Sequence, residues 1–585
     1  MKNIFLTTLP LALAAFISLA AEPNEIPVIT VTAAAQTAEN AAIHDVLRAE
    51  PGVVLNSRGG SQNDLSVRGS SFSGAGLSLG GLTLRNPQTE HFHAELPLPA
   101  AMLSRPAVRT GLDNQGGHLV GTVGFDLLPI IGKKQAEFSF GSDHRDGQSL
   151  LVQQMLSDTL GVGVFAGRES ASGVDYPDND YDRETAGGHL QFRENDMQID
   201  LLFAHQKKEF GARGYYGVPD NRAADEQTEE NMILFSAIRG RLTGDYLRGG
   251  FAWREFYDDY AIPFWNYENH HRSRMTEAFI DGRTLEINGA ALGWRADAGE
   301  ERTASTGVGW NHRTRGGISL LPQWRGDRLQ ITAGLRGEFF TGESPELLPQ
   351  LGAEFLLSDN LTAFASYSES VRLPSYTELF YLSPVNAGDP TLQPQTAGQT
   401  EIGFKGIPSE FMDWKVSVFH RRSKNTIDWQ KQTAGSLLWD ATDIGTLDTF
   451  GTEARFGWYP ARNLEVQTAY TWLYKDKDAG DSGNYASLYA LDYPEQLIQL
   501  SALWKPVEPL ELGTVQTLRF QADNRIRRNG DFGADSSFVA RFTPREFKAA
   551  TLALLINNAW NDDFQIFPGQ RPAERFIGLS LTLNL

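Results

Sequence analysis

The feature that most constrains this chain is a strict alternation of apolar and polar residues, repeated from about residue 133 onward. The last stretch shows it best. Ile577, Leu579, Leu581, Leu583 and Leu585 alternate with Gly578, Ser580, Thr582 and Asn584. Met197, Ile199, Leu201 and Phe203 alternate with Gln198 and Asp200, and Leu464, Val466, Tyr470, Trp472 and Tyr474 oppose Glu465, Gln467 and Thr471. A period of two puts one face of a strand in an apolar medium and the other in a polar one. Soluble sandwiches and propellers alternate too, so three further features decide. Tyr367, Tyr470, Trp472, Tyr474 and Trp504 fall near strand ends, where membrane interfaces collect aromatic rings. Connections come in two sizes. Ser157-Asp158, Glu194-Asn195, Gly244-Asp245, Gly326-Asp327, Ser358-Asp359-Asn360 and Arg462-Asn463 read as short turns, whereas 205–230, 255–275, 372–398 and 474–492 read as long polar loops. The third feature is a final strand, which can close against the first. Short turns on one side and long loops on the other is the outer-membrane pattern.

Composition removes competing classes. There are 52 Lys and Arg against 72 Asp and Glu, a net charge of −20, the wrong sign for a nucleic-acid binder. No run of about 18 apolar residues follows the first 20, so helices do not span a bilayer here. The cysteine count is 0, which excludes disulfides, thiolate metal sites and cysteine nucleophiles. Met1 to Ala20 carries Lys2, an apolar stretch from Ile4 to Phe16, and small residues at Ser18 and Ala20; this reads as an export signal cleaved after Ala20 or Ala21.

The roughly 450 residues after position 132 accommodate about 22 strands of ~10 residues with eleven long loops and ten short turns. A lumen of that width needs a plug. Residues 42–131 are of the right size, and Ala42–Arg48 reads as a helix broken by Pro51-Gly52. The predicted fold is therefore all-β: a 22-stranded antiparallel transmembrane barrel with a small α/β plug in its lumen. The domains are a signal at 1–20, a linker at 21–41, the plug at 42–131 and the barrel at 132–585.

Ile29-Thr30-Val31-Thr32-Ala33, near the mature N-terminus, is a β-branched run with no core to join. It can be the plug's first strand, or it can offer backbone hydrogen bonds to a partner's sheet edge. The segment resembles the TonB box of TonB-dependent outer-membrane receptors. Leu47-Arg48-Ala49-Glu50-Pro51-Gly52-Val53 and Asp64-Leu65-Ser66-Val67-Arg68-Gly69-Ser70 are similar to that family's plug motifs. Arg372–Phe380, Asp389–Gln395 and Glu401-Ile402-Gly403 resemble its long barrel signature, and Ile556-Asn557-Asn558 with Pro568-Gly569-Gln570-Arg571 its last two strands. Asn86–Pro97 and Lys208–Gly217 resemble the branch grouped with the outer-membrane cobalamin transporter. The resemblance implies active uptake across a Gram-negative outer membrane. TonB, with ExbB and ExbD, grips residues 29–33 and pulls. The ligand is a corrinoid such as cobalamin, or alternatively a siderophore or other metal chelate. It also implies a monomer, with a surface lipoprotein as an optional partner, and no required cofactor. A passive porin and a surface binding protein are the competing classes. The start of the plug is shorter than the family's, and Leu585 stands where a terminal Phe is common.

Candidate site residues follow. His91, His93 and Glu95 would share one face of an extended chain and could meet a metal or chelate. His91, Phe92 and His93 are substrate-contact candidates by family analogy. Trp265 and Tyr267, in an aromatic loop with Phe264, His270 and His271, could stack on a ligand ring. Asp175, Asp178, Asp180 and Asp182 carry hard oxygen donors that could hold Ca²⁺, although a solvated acidic loop would look the same. Arg68, within a plug strand, requires a buried carboxylate in the plug or on the barrel wall. Gly76-Leu77-Ser78-Leu79-Gly80 matches a hydrolase nucleophile pattern, but no helix follows Ser78, which predicts a plug strand and no enzyme.

Overall fold

The computed structural model describes residues 42–92, 94–115, 117–432, 436–477 and 485–585. The TonB-box candidates Ile29, Thr30, Val31, Thr32 and Ala33, and the contact candidate His93, lie outside them.

Helix α1 (Ile43–Arg48) buries Ile43 and Leu47 and stops before Pro51-Gly52, where Gly52 takes φ +86°. Strands β1 (Val53–Arg58) and β2 (Gln62–Val67) pair as a hairpin. Four more strands, β3 (Ala75–Leu79), β4 (Leu82–Leu84), β5 (Ala107–Thr110) and β6 (Gly121–Phe125), form a sheet in the order β4-β3-β6-β5, with β3 and β6 parallel. Leu65, Leu77, Leu79, Leu82 and Val123 fill the core between these pieces. The hydrolase-like glycines have structural work. Gly76 leaves room for the His118 ring, whose Nε2 would lie 1.9 Å from an added Cβ, and Gly80-Gly81 supplies the two positive φ angles of the β3–β4 turn. Ser78 is buried within β3, beside Arg109.

Around this plug runs a closed antiparallel barrel of 22 strands. Its first strand, β7 (Lys134–Gly141), pairs with its last, Phe576–Asn584, from Gln135↔Asn584 to Gly141↔Gly578. The alternation predicts which side faces lipid. Leu201 and Phe203 are 47% and 50% exposed, whereas Leu202 between them is buried and Asp200 just before them points inward, its Oδ1 2.8 Å from His189 Nε2. Replacing lipid-facing Leu201 by Arg should destabilise the barrel by about 2–4 kcal/mol. Refolding titrations in lipid vesicles measure that, and Arg at half-exposed His205, on the same face and nearer the outer rim, should cost much less.

Strand length departs from expectation. Barrel strands range from 8 residues in β7 to 17 in Tyr246–Ile262 and Tyr267–Arg283, against the ~10 that a membrane crossing requires. Much of 205–230 and 255–275, read as loops from sequence, belongs to strands Met197–Gly211, Asp225–Gly240, Tyr246–Ile262 and Tyr267–Arg283. Above the lipid both faces of a strand meet polar surroundings, so alternation fades while cross-strand pairing continues. Two other expected loops also contain structure. Asn386–Ala387, Trp439–Asp443, Ile427–Gln432 and Tyr485–Ser487 make a four-stranded sheet, and Trp429, Trp439, Ala441 and Leu488 give it a small apolar core. The short helix α2 (Tyr376–Phe380) starts at Ser375, whose hydroxyl accepts from Glu378 N while Glu378 Oε2 accepts from Ser375 N.

Candidate functional site: the cavity over the plug apex

The plug meets the outer loops at residues 86–92. Backbone N–H groups of Tyr376 and Thr377 donate to the carbonyls of Pro87 and Gln88 at 3.1 and 2.8 Å, docking α2 directly on the plug. Around this contact lies a cavity of about 70 Å³. Phe72, Gln88, Thr89, His91 and Phe92 form its plug side. Its walls are the upper ends of three barrel strands, carrying Glu226, Asp258 with Tyr260, and His271, together with Tyr216 and the α2 residues Thr377 and Glu378. The loop sheet closes it with Trp429, Leu488 and Tyr489. A drug-sized ligand needs roughly 300–1,000 Å³. The cavity is therefore too small for a full chelate, and the loops must part to admit one.

His91 stacks on Phe72 with ring centres 3.9 Å apart, and its Nδ1 lies 2.7 Å from Asp64 Oδ2. Phe92 is half-buried, with the Lys208 ammonium 4.6 Å from its ring centre. These two sequence candidates do line the cavity. Glu95 does not join His91 as the extended-chain reading required. Glu90 and Phe92 adopt φ +61° and +66°, which breaks the alternation, and Glu95 accepts from Asn63 N and from Lys208 Nζ, each at 2.8 Å. Trp265 and Tyr267 pack beside a neighbouring cluster that includes Tyr215, Tyr260 and Val385, and Tyr267 Oη donates to the Leu382 carbonyl at 2.9 Å. They brace the wall and do not line the cavity.

The four aspartates of the 172–182 segment are dispersed. Asp182 pairs with Arg168, Asp178 with Arg213, and Asp180 Oδ1 accepts from Gly173 N at 2.7 Å. Burial raises the Asp175 carboxyl to about 7, and its Oδ1 accepts from Glu574 N. Among the described residues no three His, Cys, Asp or Glu side chains gather as a metal site.

Arg68 crosses from plug to wall. Its Nη1 donates to Glu401 Oε2 at 2.9 Å, and its Nη2 and Nε donate to Glu453 Oε2 at 2.6 and 3.0 Å. Burial alone would weaken the charged guanidinium; Glu453 and Glu401 overcome it and raise the pKa above the ordinary arginine value. Polar ties of this kind surround the plug. Gln499 bonds Gly52 N and the Val53 carbonyl, Arg295 the Gly81 carbonyl, and Glu277 Oε1 the Thr83 N–H. Such ties hold a domain in place yet can be exchanged for water when it moves.

Two cavity-lining residues escaped sequence reasoning, Glu226 and Asp258. Both sit on strand segments read as solvated loop, and only the register, which pairs Glu226 with Tyr260, sets Asp258 diagonal to Glu226 on the same face.

A closed lipid-facing barrel corked by its own N-terminal domain, with a lined cavity toward the outside, defines a gated outer-membrane receptor and not an open pore. The chain belongs to the TonB-dependent receptor family: the family described as "TonB dependent receptor-like, beta-barrel" matches residues 131–559. Solved structures share the fold. The FrpB iron transporter from Neisseria meningitidis matches with a TM-score of 0.74 at 13% identity, over 95% of this chain and 98% of that one. The copper transporter OprC gives 0.73 at 13%, over 93% and 95%. The siderophore receptor PirA from Pseudomonas aeruginosa gives 0.69 at 13%, over 93% and 96%. The protein is thus an outer-membrane β-barrel of Gram-negative type. The finer resemblance to cobalamin transporters gains nothing from these three neighbours, which are iron, copper and siderophore proteins.

Proposed function

We propose that the protein imports a metal chelate of the siderophore class across the outer membrane, energised through TonB with ExbB and ExbD. The observation that carries this reading is the cavity over the plug apex, built jointly by the plug loop at 86–92 and the outer loops. A ligand held there touches the element that blocks the lumen, so binding and plug movement share residues. The outer membrane holds no ATP, and work must arrive as a pull on the N-terminal segment. Residues 29–33 suit that role because strand pairing grips a backbone without requiring polar side chains. The ligands of the structural neighbours favour a metal chelate over a corrinoid.

Deleting residues 26–33 tests this. Uptake of radiolabelled ferric chelates into cells carrying this receptor alone should fall to background, while binding to the cell surface persists. Undiminished uptake would mean a passive pore. Saturable binding of cyanocobalamin in place of every ferric chelate would restore the corrinoid reading.

A further inference from the structure

Glu226 and Asp258 both line the cavity, on adjacent strands and diagonal to each other, and both residues are buried, at 5% and 8% exposure. Two buried carboxylates facing one cavity repel each other unless a cation lies with them. Their fixed donors are few. Tyr216 Oη donates to Glu226 Oε2 at 2.7 Å and Gln88 Nε2 to Asp258 Oδ2 at 2.8 Å. Among the described residues nothing donates to Asp258 Oδ1. Tyr260 and His271 also line the cavity, and among the described residues nothing bonds their buried Oη and Nδ1 atoms. Buried polar atoms are satisfied in nearly all folded proteins, so several around one cavity mark a place that something else completes.

The neighbouring cations are committed elsewhere. Lys208 pairs with Glu95, Arg58 with Asp64, and Arg372 with Glu378. A metal ion is a poor candidate, since no sufficient group of His, Asp or Glu gathers among the described residues. The surroundings suit a larger, softer cation. Tyr216 and Tyr260 meet edge to face with centres 5.6 Å apart, and Tyr381 flanks them. Aromatic walls over an acidic floor attract a substituted ammonium through ring quadrupoles and direct charge together.

We propose that the plug-facing end of the transported ligand carries a fixed positive charge, a substituted ammonium, received by Glu226 and Asp258 within the ring of Tyr216, Tyr260 and Tyr381. This rests on the importer reading above and adds the chemical class of the group that reaches the plug.

Calorimetry on the full-length protein in detergent tests it with choline and 3,3-dimethylbutan-1-ol, which share a shape but not a charge. Choline should saturate, and the neutral alcohol should bind at least tenfold more weakly. Asp258→Asn, nearly isosteric, should weaken choline tenfold or more. Heat-modifiable gel mobility establishes that the variant is folded. Equal binding of the two probes, no saturation by choline at millimolar concentration, or unchanged choline binding in folded Asp258→Asn overturns the proposal. The result is independent of residues 26–33. If their deletion leaves uptake intact while choline still binds selectively, the importer reading fails and the cation site stands.

Discussion

Replacing Arg68 by alanine is expected to unseat the plug. The side chain is 1% exposed, and its guanidinium holds Glu401 on strand Gln395–Ser409 and Glu453 on strand Leu447–Ala461, with the Phe419 ring 4.4 Å away. The backbone is shaped to deliver it: Arg68 and Gly69 take φ +50° and +65° at the end of β2, and their carbonyls accept from Arg421 at 3.2 Å and Lys475 at 2.7 Å. Truncation leaves two inward carboxylates without their shared counter-charge. Breaking a buried pair on one side costs about 3–5 kcal/mol, more than the net worth of the intact pair, because the orphaned charge must be accommodated. Lys415, 3.1 Å from Glu401, relieves part of this. Plug melting by calorimetry should fall accordingly, and cells should admit large antibiotics that an intact outer membrane excludes. Arg68→Lys should recover little, since one ammonium cannot fork to carboxylates on two strands. Adding Glu401→Gln and Glu453→Gln to Arg68→Ala should recover more. An unchanged melting profile in Arg68→Ala would show that the plug is held by its uncharged contacts.

That ion triad shows where sequence reasoning reaches and where it stops. The need for a partner is legible at Arg68 because a cation inside a buried strand is costly alone. The identity of Glu401 and Glu453 is not, as they lie more than 300 positions away and only barrel closure brings them round. The wall itself was legible wherever lipid lies on one side, as in Ile577 to Leu585 or Met197 to Phe203, because the medium imposes the period. It faded above the membrane. Strands through 225–230 and 255–262 carry polar residues on both faces and read as loops, which hid Glu226 and Asp258. The His91 and Glu95 reading erred for a local reason: alternation shares a face only if the chain is extended, and the left-handed turns at Glu90 and Phe92 send the two side chains to different partners. The two motifs that marked a lineage, Asn86–Pro97 and Lys208–Gly217, prove to touch. Lys208 bonds Glu95, and Tyr216 lies 5.5 Å from His91. Their spatial contact explains why both are distinctive, without naming a ligand.

The contact between those motifs yields the second large effect. Lys208 is 1% exposed, and its ammonium donates to Glu95 Oε2 at 2.8 Å and to the Ser61 carbonyl, with the Phe92 and Phe210 rings 4.6 and 5.0 Å away. One charge thus ties strand Met197–Gly211 to the plug hairpin and to the loop that carries His91 and Phe92 into the cavity. Lys208→Met keeps the stem but strands Glu95, at an expected cost of about 3–5 kcal/mol. The loop can lower that cost by turning Glu95 toward water, which would drag His91 and Phe92 from the cavity wall. Chelate binding should therefore weaken by tenfold or more, together with the drop in melting temperature. Glu95→Gln preserves an acceptor for Asn63 N–H and removes the charge, so Lys208→Met with Glu95→Gln should regain most of both losses. The double variant separates two roles that the single one confounds. If stability returns and binding does not, Lys208 acts on the ligand directly; if both return, its work is to hold the apex loop in the shape that the cavity needs.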